Sequence, residues 1–223
     1  MRGTLLAAFA VFLSSGTAWA QATTGAPPAT PSAPPAATAS AAERPWSFYA
    51  SAATYVLPDD PAYVQPAVTA DRGWLHLEGR FNYEDRDTGS AWFGYNFSVG
   101  ETVTLELTPM IGAVFGQTGG IAPGYRGSLG WRMLQLYSET EFMINTGSPD
   151  DSFLYTWSEL EVAPADWCRF GFVVQRTKAY ETEFDIQRGF FAGFSYKGLD
   201  VTGYVFNPDA DRPTVVVAVG VGF

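Results

Sequence analysis

From Pro45 onward, apolar and polar residues alternate with a period of two along segments of roughly ten residues, and clusters of Gly, Pro, Asp and Asn separate the segments. Strands are predicted at 46–56, 62–70, 73–84, 89–98, 102–115, 122–131, 133–145, 152–163, 166–178, 187–197, 199–206 and 214–223, and no stretch carries a helical period. In 73–84, Leu75, Leu77, Gly79, Phe81 and Tyr83 share one side, while Trp74, His76, Glu78, Arg80 and Asn82 share the other. In 91–98, Ala91, Phe93, Tyr95 and Phe97 oppose Trp92, Gly94, Asn96 and Ser98. In 187–196, Phe190, Ala192, Phe194 and Tyr196 oppose Gln187, Gly189, Gly193 and Ser195, with Phe191 out of pattern. The last strand divides by size. Val215, Val217, Val219, Val221 and Phe223 lie on one side, and Val216, Ala218, Gly220 and Gly222 on the other.

Short and long connections alternate along the chain. The tight ones are Asp71-Arg72-Gly73, Val99-Gly100-Glu101, Trp131-Arg132, Ala163 to Asp166 and Lys197-Gly198-Leu199. The longer, more polar ones run from Pro58 to Pro61, Glu84 to Gly89, Gly116 to Gly120, Asn145 to Asp151, Glu181 to Asp185 and Asn207 to Pro213. Strict alternation of this kind is the pattern of an up-and-down barrel. An even strand number puts both chain ends on the short-turn side. A soluble β-sandwich shows the same period, with its apolar side inward. Three features favour a lipid-facing apolar side instead. Mid-segment, that side is almost free of charge. Tyr83, Phe97, Trp131, Trp167 and Tyr196 fall near strand ends, where interfacial aromatic girdles belong. Charges occupy the alternate side within strands. Closure also leaves no unpaired sheet edge in lipid. The expected fold is all-β: a transmembrane up-and-down antiparallel β-barrel of about twelve strands over 45–223.

The first 44 residues read differently. Arg2, the apolar run Leu5 to Leu13 and Ala18-Trp19-Ala20 form a signal peptide over 1–20, too short to span a bilayer as a helix. Residues 21–44 are rich in Pro and Ala and lack large apolar side chains, so they form an extended periplasmic linker. Cys168 is the only cysteine, which excludes an intrachain disulfide; with no neighbouring base, it reads as a small apolar filler. A net charge of −10 speaks against a nucleic-acid partner.

Taken together, the signal peptide, the alternating segments and the terminal Val221-Gly222-Phe223 resemble Gram-negative outer-membrane β-barrel proteins of the porin-like kind. That resemblance implies a bacterial outer-membrane location and outer-membrane lipid as surroundings. It also implies recognition of the last strand, through Phe223, by the barrel-assembly machinery. It carries over no ligand and no active site.

The polar side then lines the lumen. Its candidate residues are His76, Glu78, Arg80, Glu106, Arg126, Glu139, Glu141, Glu159, Glu161 and Arg169. Register inferred from the turns places Glu139 near Glu159, Glu161 beside Arg169 and Arg126 beside Glu139 or Tyr137. It also pairs Gly94 with Arg80 on one side and Glu106 on the other. The leading expectation is a narrow channel for small hydrophilic solutes or ions, whose carboxylates favour cations. A sealed barrel with a structural, envelope-stabilising role uses the same residues, because interior charges must be paired in any case. A lipid-modifying enzyme is the third option, with His76 as base and Ser98 in reach. No enzyme, catalytic residue, metal site or cofactor is expected.

Overall fold

A computed structural model of the chain describes residues 45–58, 60–179 and 185–223. The expected leader and linker lie outside the described residues. The strands are β1 (Ser47–Val56), β2 (Tyr63–Arg72), β3 (Leu75–Phe81), β4 (Thr88–Tyr95), β5 (Phe97–Val99), β6 (Val103–Gly116), β7 (Gly120–Trp131), β8 (Leu134–Asn145), β9 (Phe153–Ala165), β10 (Cys168–Ala179), β11 (Asp185–Tyr196), β12 (Leu199–Phe206) and β13 (Thr214–Gly222). They form one antiparallel sheet in the order β4-β3-β2-β1-β13-β12-β11-β10-β9-β8-β7-β6-β5, and the additional β4–β6 pairing closes it. β4 and β5 both pair with β6 and are two halves of one strand broken at Asn96, so twelve strands complete the ring. The seam between the first and last strands runs from Tyr49 opposite Gly222 to Val56 opposite Val215.

Local chemistry explains the tight ends. Lys197 and Gly198 both have positive φ, 50° and 80°, the two-residue turn whose twist matches that of its flanking strands. Gly100, at φ 100°, has no room for a side chain against the Val103 carbonyl. Asn96 interrupts its strand because its side chain turns inward. Its amide donates to Asp71 Oδ1 at 2.7 Å, and its carbonyl oxygen accepts from Thr108 at 2.8 Å.

The distribution of burial is inverted relative to a water-soluble protein. Phe93, Ile111, Phe172, Phe190, Phe194, Val217 and Val219 are exposed on the outside, whereas Gln65, Glu78, Arg80, Glu139 and Gln175 are buried within. Such an exterior is stable only against hydrocarbon. Trp46, Trp74, Trp131, Trp167 and Tyr196 ring the short-turn end, exposed. Arg72, Arg132 and Lys197 sit over Trp46, Trp131 and Tyr196 at 5.8, 5.0 and 5.2 Å. Tyr83 departs from the expected girdle. β3 stops at Phe81, and Asn82, at φ 61°, turns the chain into the barrel, so that Tyr83 and Glu84 are buried.

The interior is filled rather than hollow over much of its height. One cluster joins Tyr55, Tyr137, Tyr155, Trp157, Phe191, Tyr204 and Phe206 from β1, β8, β9, β11 and β12. Trp157 stands edge-on to Tyr204 and Phe206, at 5.4 and 5.5 Å. A second cluster joins Trp92, Met110, Val114, Ala122 and Met143, and Phe153 packs against both. Phe191, out of pattern in sequence, belongs to the first cluster. The small inner face of β13 leaves no void either: the Tyr49 ring lies against Gly220.

Candidate functional site

All ten candidate lumen residues stand on the inner face, and most of them converge on one band of charge at mid-height. Its centre is Arg80 on β3. Arg80 Nε donates to Glu78 Oε1 at 2.9 Å, and Nη1 reaches Glu141 Oε2 at 3.1 Å. Nη2 lies 2.8 Å from Glu139 Oε1 and 3.3 Å from Glu78 Oε2. The guanidinium lies between two rings, 4.5 Å from Trp92 and 5.3 Å from Tyr83. Arg126 on β7 donates to Glu78 Oε2 at 2.8 Å and approaches Glu139 Oε2 at 3.4 Å. Because Glu139 and Glu141 are on β8, Arg80 spans the lumen rather than linking adjacent strands. Glu78, Arg80, Glu139 and Glu141 are at most 5% exposed, so this lattice is dry.

His76 extends the band towards the short-turn end. Its Nδ1 is 2.8 Å from Asp71 Oδ1, and its Nε2 is 3.2 Å from Glu78 Oε2. Both oxygens already accept other donors: Asn96 on Asp71, and the two arginines on Glu78. Both ring nitrogens of His76 are thus in hydrogen-bond contact with carboxyl groups. It has no nitrogen free to act as a base, and Ser98 stands opposite Glu106. The hydrogen bonds of His76 go to Asp71 and Glu78 rather than to Ser98.

On the far wall, Glu159 Oε1 accepts from Trp157 Nε1 at 2.9 Å and from the Tyr204 hydroxyl at 3.1 Å. Arg169 donates to Glu161 at 3.0 Å and to Thr202 at 2.6 Å, with Glu159 at 4.0 Å. Gly193 makes room for it, since a Cβ there would stand 2.8 Å from Arg169 Nε. Tyr137, two residues before Glu139 on β8, donates to it at 2.8 Å. Below the band a cavity of about 270 Å³ opens at the short-turn end, lined by Thr104, Glu106, Ser128, Gln135 and Glu161 among others. Among the described residues, no group of His, Cys, Asp and Glu has the geometry to hold a metal ion.

Three registers differ from those inferred from the turns. Glu139 faces Trp157, and Glu159 faces Tyr137, a slip of two residues. Gly94 pairs with His76 and Met110, not with Arg80 and Glu106. Arg80 therefore meets Glu139 and Glu141, while Glu106 accepts a hydrogen bond from Ser128 at 3.2 Å in the cavity. In the β3–β4 pair the inward loop ends β3 at Phe81, so that Arg80 stands opposite Ser90. Arg126 does face Glu139, and Arg169 does bond Glu161. Asp71 and Glu84 were missed, and the tyrosines were not counted among the candidates. Tyr49, Tyr55, Tyr63, Tyr137, Tyr155 and Tyr204 recur on the polar side of strands, and that pattern is a readable sign of a packed lumen.

No protein-family model matches the sequence, and no curated protein is similar to it. Among solved structures, the KdgM porin is similar in fold, with a TM-score of 0.59 at 11% identity over 78% of this chain and 99% of that one. A second structure, the KdgM porin in complex with disordered oligogalacturonate, gives 0.55 at 12% identity over 79% and 98%. The likeness is one of architecture. The chain folds as a closed antiparallel β-barrel with the architecture of those porins.

Proposed function

We propose that the barrel is a narrow outer-membrane channel for small hydrophilic solutes or ions, closed in this conformation by its own side chains. The observation that carries this reading is the polar cavity at the short-turn end, whose lining includes Glu106, Ser128, Gln135 and Glu161. Its Glu106 and Glu161, with Glu78, Glu139, Glu141 and Glu159 above, are six carboxylates facing three guanidiniums, Arg80, Arg126 and Arg169. That excess favours cations and neutral solutes. It disfavours polyanions such as the oligogalacturonate of the neighbouring complex. Porin architecture supports transport rather than catalysis, in keeping with a histidine whose nitrogens are both engaged.

A second reading rests on a different observation. Trp157 and Phe206 are 0% exposed inside the barrel, as in a protein core. A sealed, structural barrel has this interior. Planar-bilayer conductance of the purified folded protein separates the two. Discrete conductance steps are expected, and their absence under all conditions leaves the sealed barrel. Where steps are seen, Glu139→Gln with Glu159→Gln reduces cation preference; unchanged selectivity rejects the acidic band as its source.

A further inference from the structure

The loop that turns inward between β3 and β4 carries a carboxyl group buried beside other carboxylates. Glu84 is 2% exposed, and neither carboxyl oxygen receives a well-formed hydrogen bond. Ser90 and its own backbone amide are the polar groups that act on it, and Arg80 is the cation that does. Arg80 is already committed to Glu78, Glu139 and Glu141. Ser90 accepts from Trp92 Nε1 at 2.9 Å, which leaves its own hydroxyl hydrogen as the donor facing Glu84. The charged groups around Glu84 are Glu78 and Arg80 on β3, Arg126 on β7 and Glu139 and Glu141 on β8, with Tyr83 beside it in the loop and the His76–Asp71 pair beyond Glu78. Four carboxylates thus share two guanidiniums in a dry space. An ionised Glu84 has only the Ser90 hydroxyl, its own amide and an already shared Arg80 to replace its hydration, and a protonated one needs far less.

The rest of the loop is anchored at its ends and outer side. Asp87 N–H donates to Asn82 Oδ1 at 2.9 Å, closing the loop on itself. Gln65 donates to the Asn82 carbonyl at 2.8 Å, and Asn82 Nδ2 donates to the Val64 carbonyl at 2.9 Å. Thr118 donates to Asp85 at 2.7 Å, and Arg86 lies over Tyr63 at 5.1 Å. Asn82 and Asp87 hold positive φ, 61° and 53°, at the two points where the chain enters and leaves the lumen. Tyr83 and Glu84 are the inward tip between these two hinges.

We infer that Glu84 is a proton-operated catch. Protonated, it lets the tip of the Asn82–Asp87 loop sit in the outer end of the lumen; ionised, it drives the tip out to water. The sign follows directly. The seated form binds the proton, so it prevails at low pH and is lost as pH rises. A single proton gives a released fraction that grows about tenfold per pH unit below the midpoint. On the channel reading above, on which this last step rests, release unseals the outer mouth, so that conductance rises with pH.

The test uses the full-length barrel in lipid vesicles. Infrared titration of the wild type should show a carboxylic-acid carbonyl band that disappears as pH is raised. Glu84→Gln, isosteric and neutral, should lack that band, while Glu141→Gln should keep it. A nitroxide at Asp87→Cys in a Cys168→Ser background should be immobile at low pH and mobile at high pH, and should stay immobile throughout when Glu84→Gln is added. Loop mobility with unchanged pH dependence in Glu84→Gln overturns the catch, as does a titrating band that survives the substitution. Bilayer conductance separates this from the channel reading. Loop release without conductance at any pH defeats the channel and leaves the catch. Conductance that is independent of pH, over a fixed loop, defeats the catch and leaves the channel. Should Glu84→Gln fail to fold, the wild-type band and nitroxide titrations decide alone, since a catch requires their midpoints to coincide.

Discussion

Arg80→Leu isolates the property that distinguishes a dry, ion-paired lumen from a water-filled one. The substitution keeps most of the buried apolar stem and removes the guanidinium. Glu78, Glu139 and Glu141 then lose the cation within 2.8 to 3.1 Å of each. Removing one partner of a buried ion pair costs roughly 3–5 kcal/mol, because the other charge is left uncompensated. The two ring contacts, at 4.5 and 5.3 Å, add about 1–2 kcal/mol in a desolvated setting. The expected loss of unfolding free energy is therefore about 4–7 kcal/mol. Were the same groups bathed in water, the pairs would be worth ~1 kcal/mol or less. Arg80→Lys keeps the charge but not the fork that serves three carboxylates, and should fall between wild type and Leu. Urea unfolding of the barrel in vesicles, followed by tryptophan fluorescence, measures the difference. A loss below about 1 kcal/mol for Arg80→Leu would refute the dry lattice. Combining Arg80→Leu with Glu139→Gln and Glu141→Gln should recover part of the stability, since the orphaned charges go with their partner.

Three further expectations are open to the same assay. Gly193→Ala brings a methyl group to 2.8 Å of Arg169 Nε and 2.9 Å of Thr202 Oγ1, and should cost about 1–3 kcal/mol by pushing Arg169 off its partners. Val219→Arg, on the exposed side of β13, should cost about 2–4 kcal/mol in vesicles if that position lies near mid-bilayer, whereas an equal effect in detergent and lipid would mean that this side does not meet hydrocarbon. Phe223→Ala removes the stack on Phe48, with centroids 5.8 Å apart, and should lower stability by only about 1 kcal/mol. The same change should sharply lower the yield of assembled barrel in the outer membrane, and an unimpaired yield would argue against Phe223 as an assembly signal.

The strands and their outward faces were legible because lipid imposes a strict rule on every second residue. Phe190, Phe194, Val217 and Val219 had to face the bilayer, and the tight turn at Trp131 fixed the register of its hairpin, whereas the one at Gly100 did not. The interior obeyed a looser rule. A position facing the lumen tolerates Glu139, Tyr137 or Gly193 equally in a one-dimensional pattern, and what they meet depends on strands that are distant in sequence. Arg80 was read as facing in, yet its partners on β8 were invisible because no local period encodes a chord across a ring. Tyr83 was misplaced for a related reason. Its apolar ring continues the outward alternation of β3, and only the left-handed Asn82 before it marks the chain's departure from the wall.

The contact between Arg80 and Glu141 joins residues 61 apart, on strands that are not neighbours in the sheet. Such a pair has no template in a growing hairpin array and forms only when curvature brings the two walls face to face. Until then each charge remains in water, where it is stable alone. Dehydration of the interior is thus a late folding event, coupled to completion of the ring rather than to the pairing of any one strand. A barrel arrested before its seam is made would keep a wet, ionised lumen, and the lattice around Arg80 would serve as a chemical record that closure had taken place.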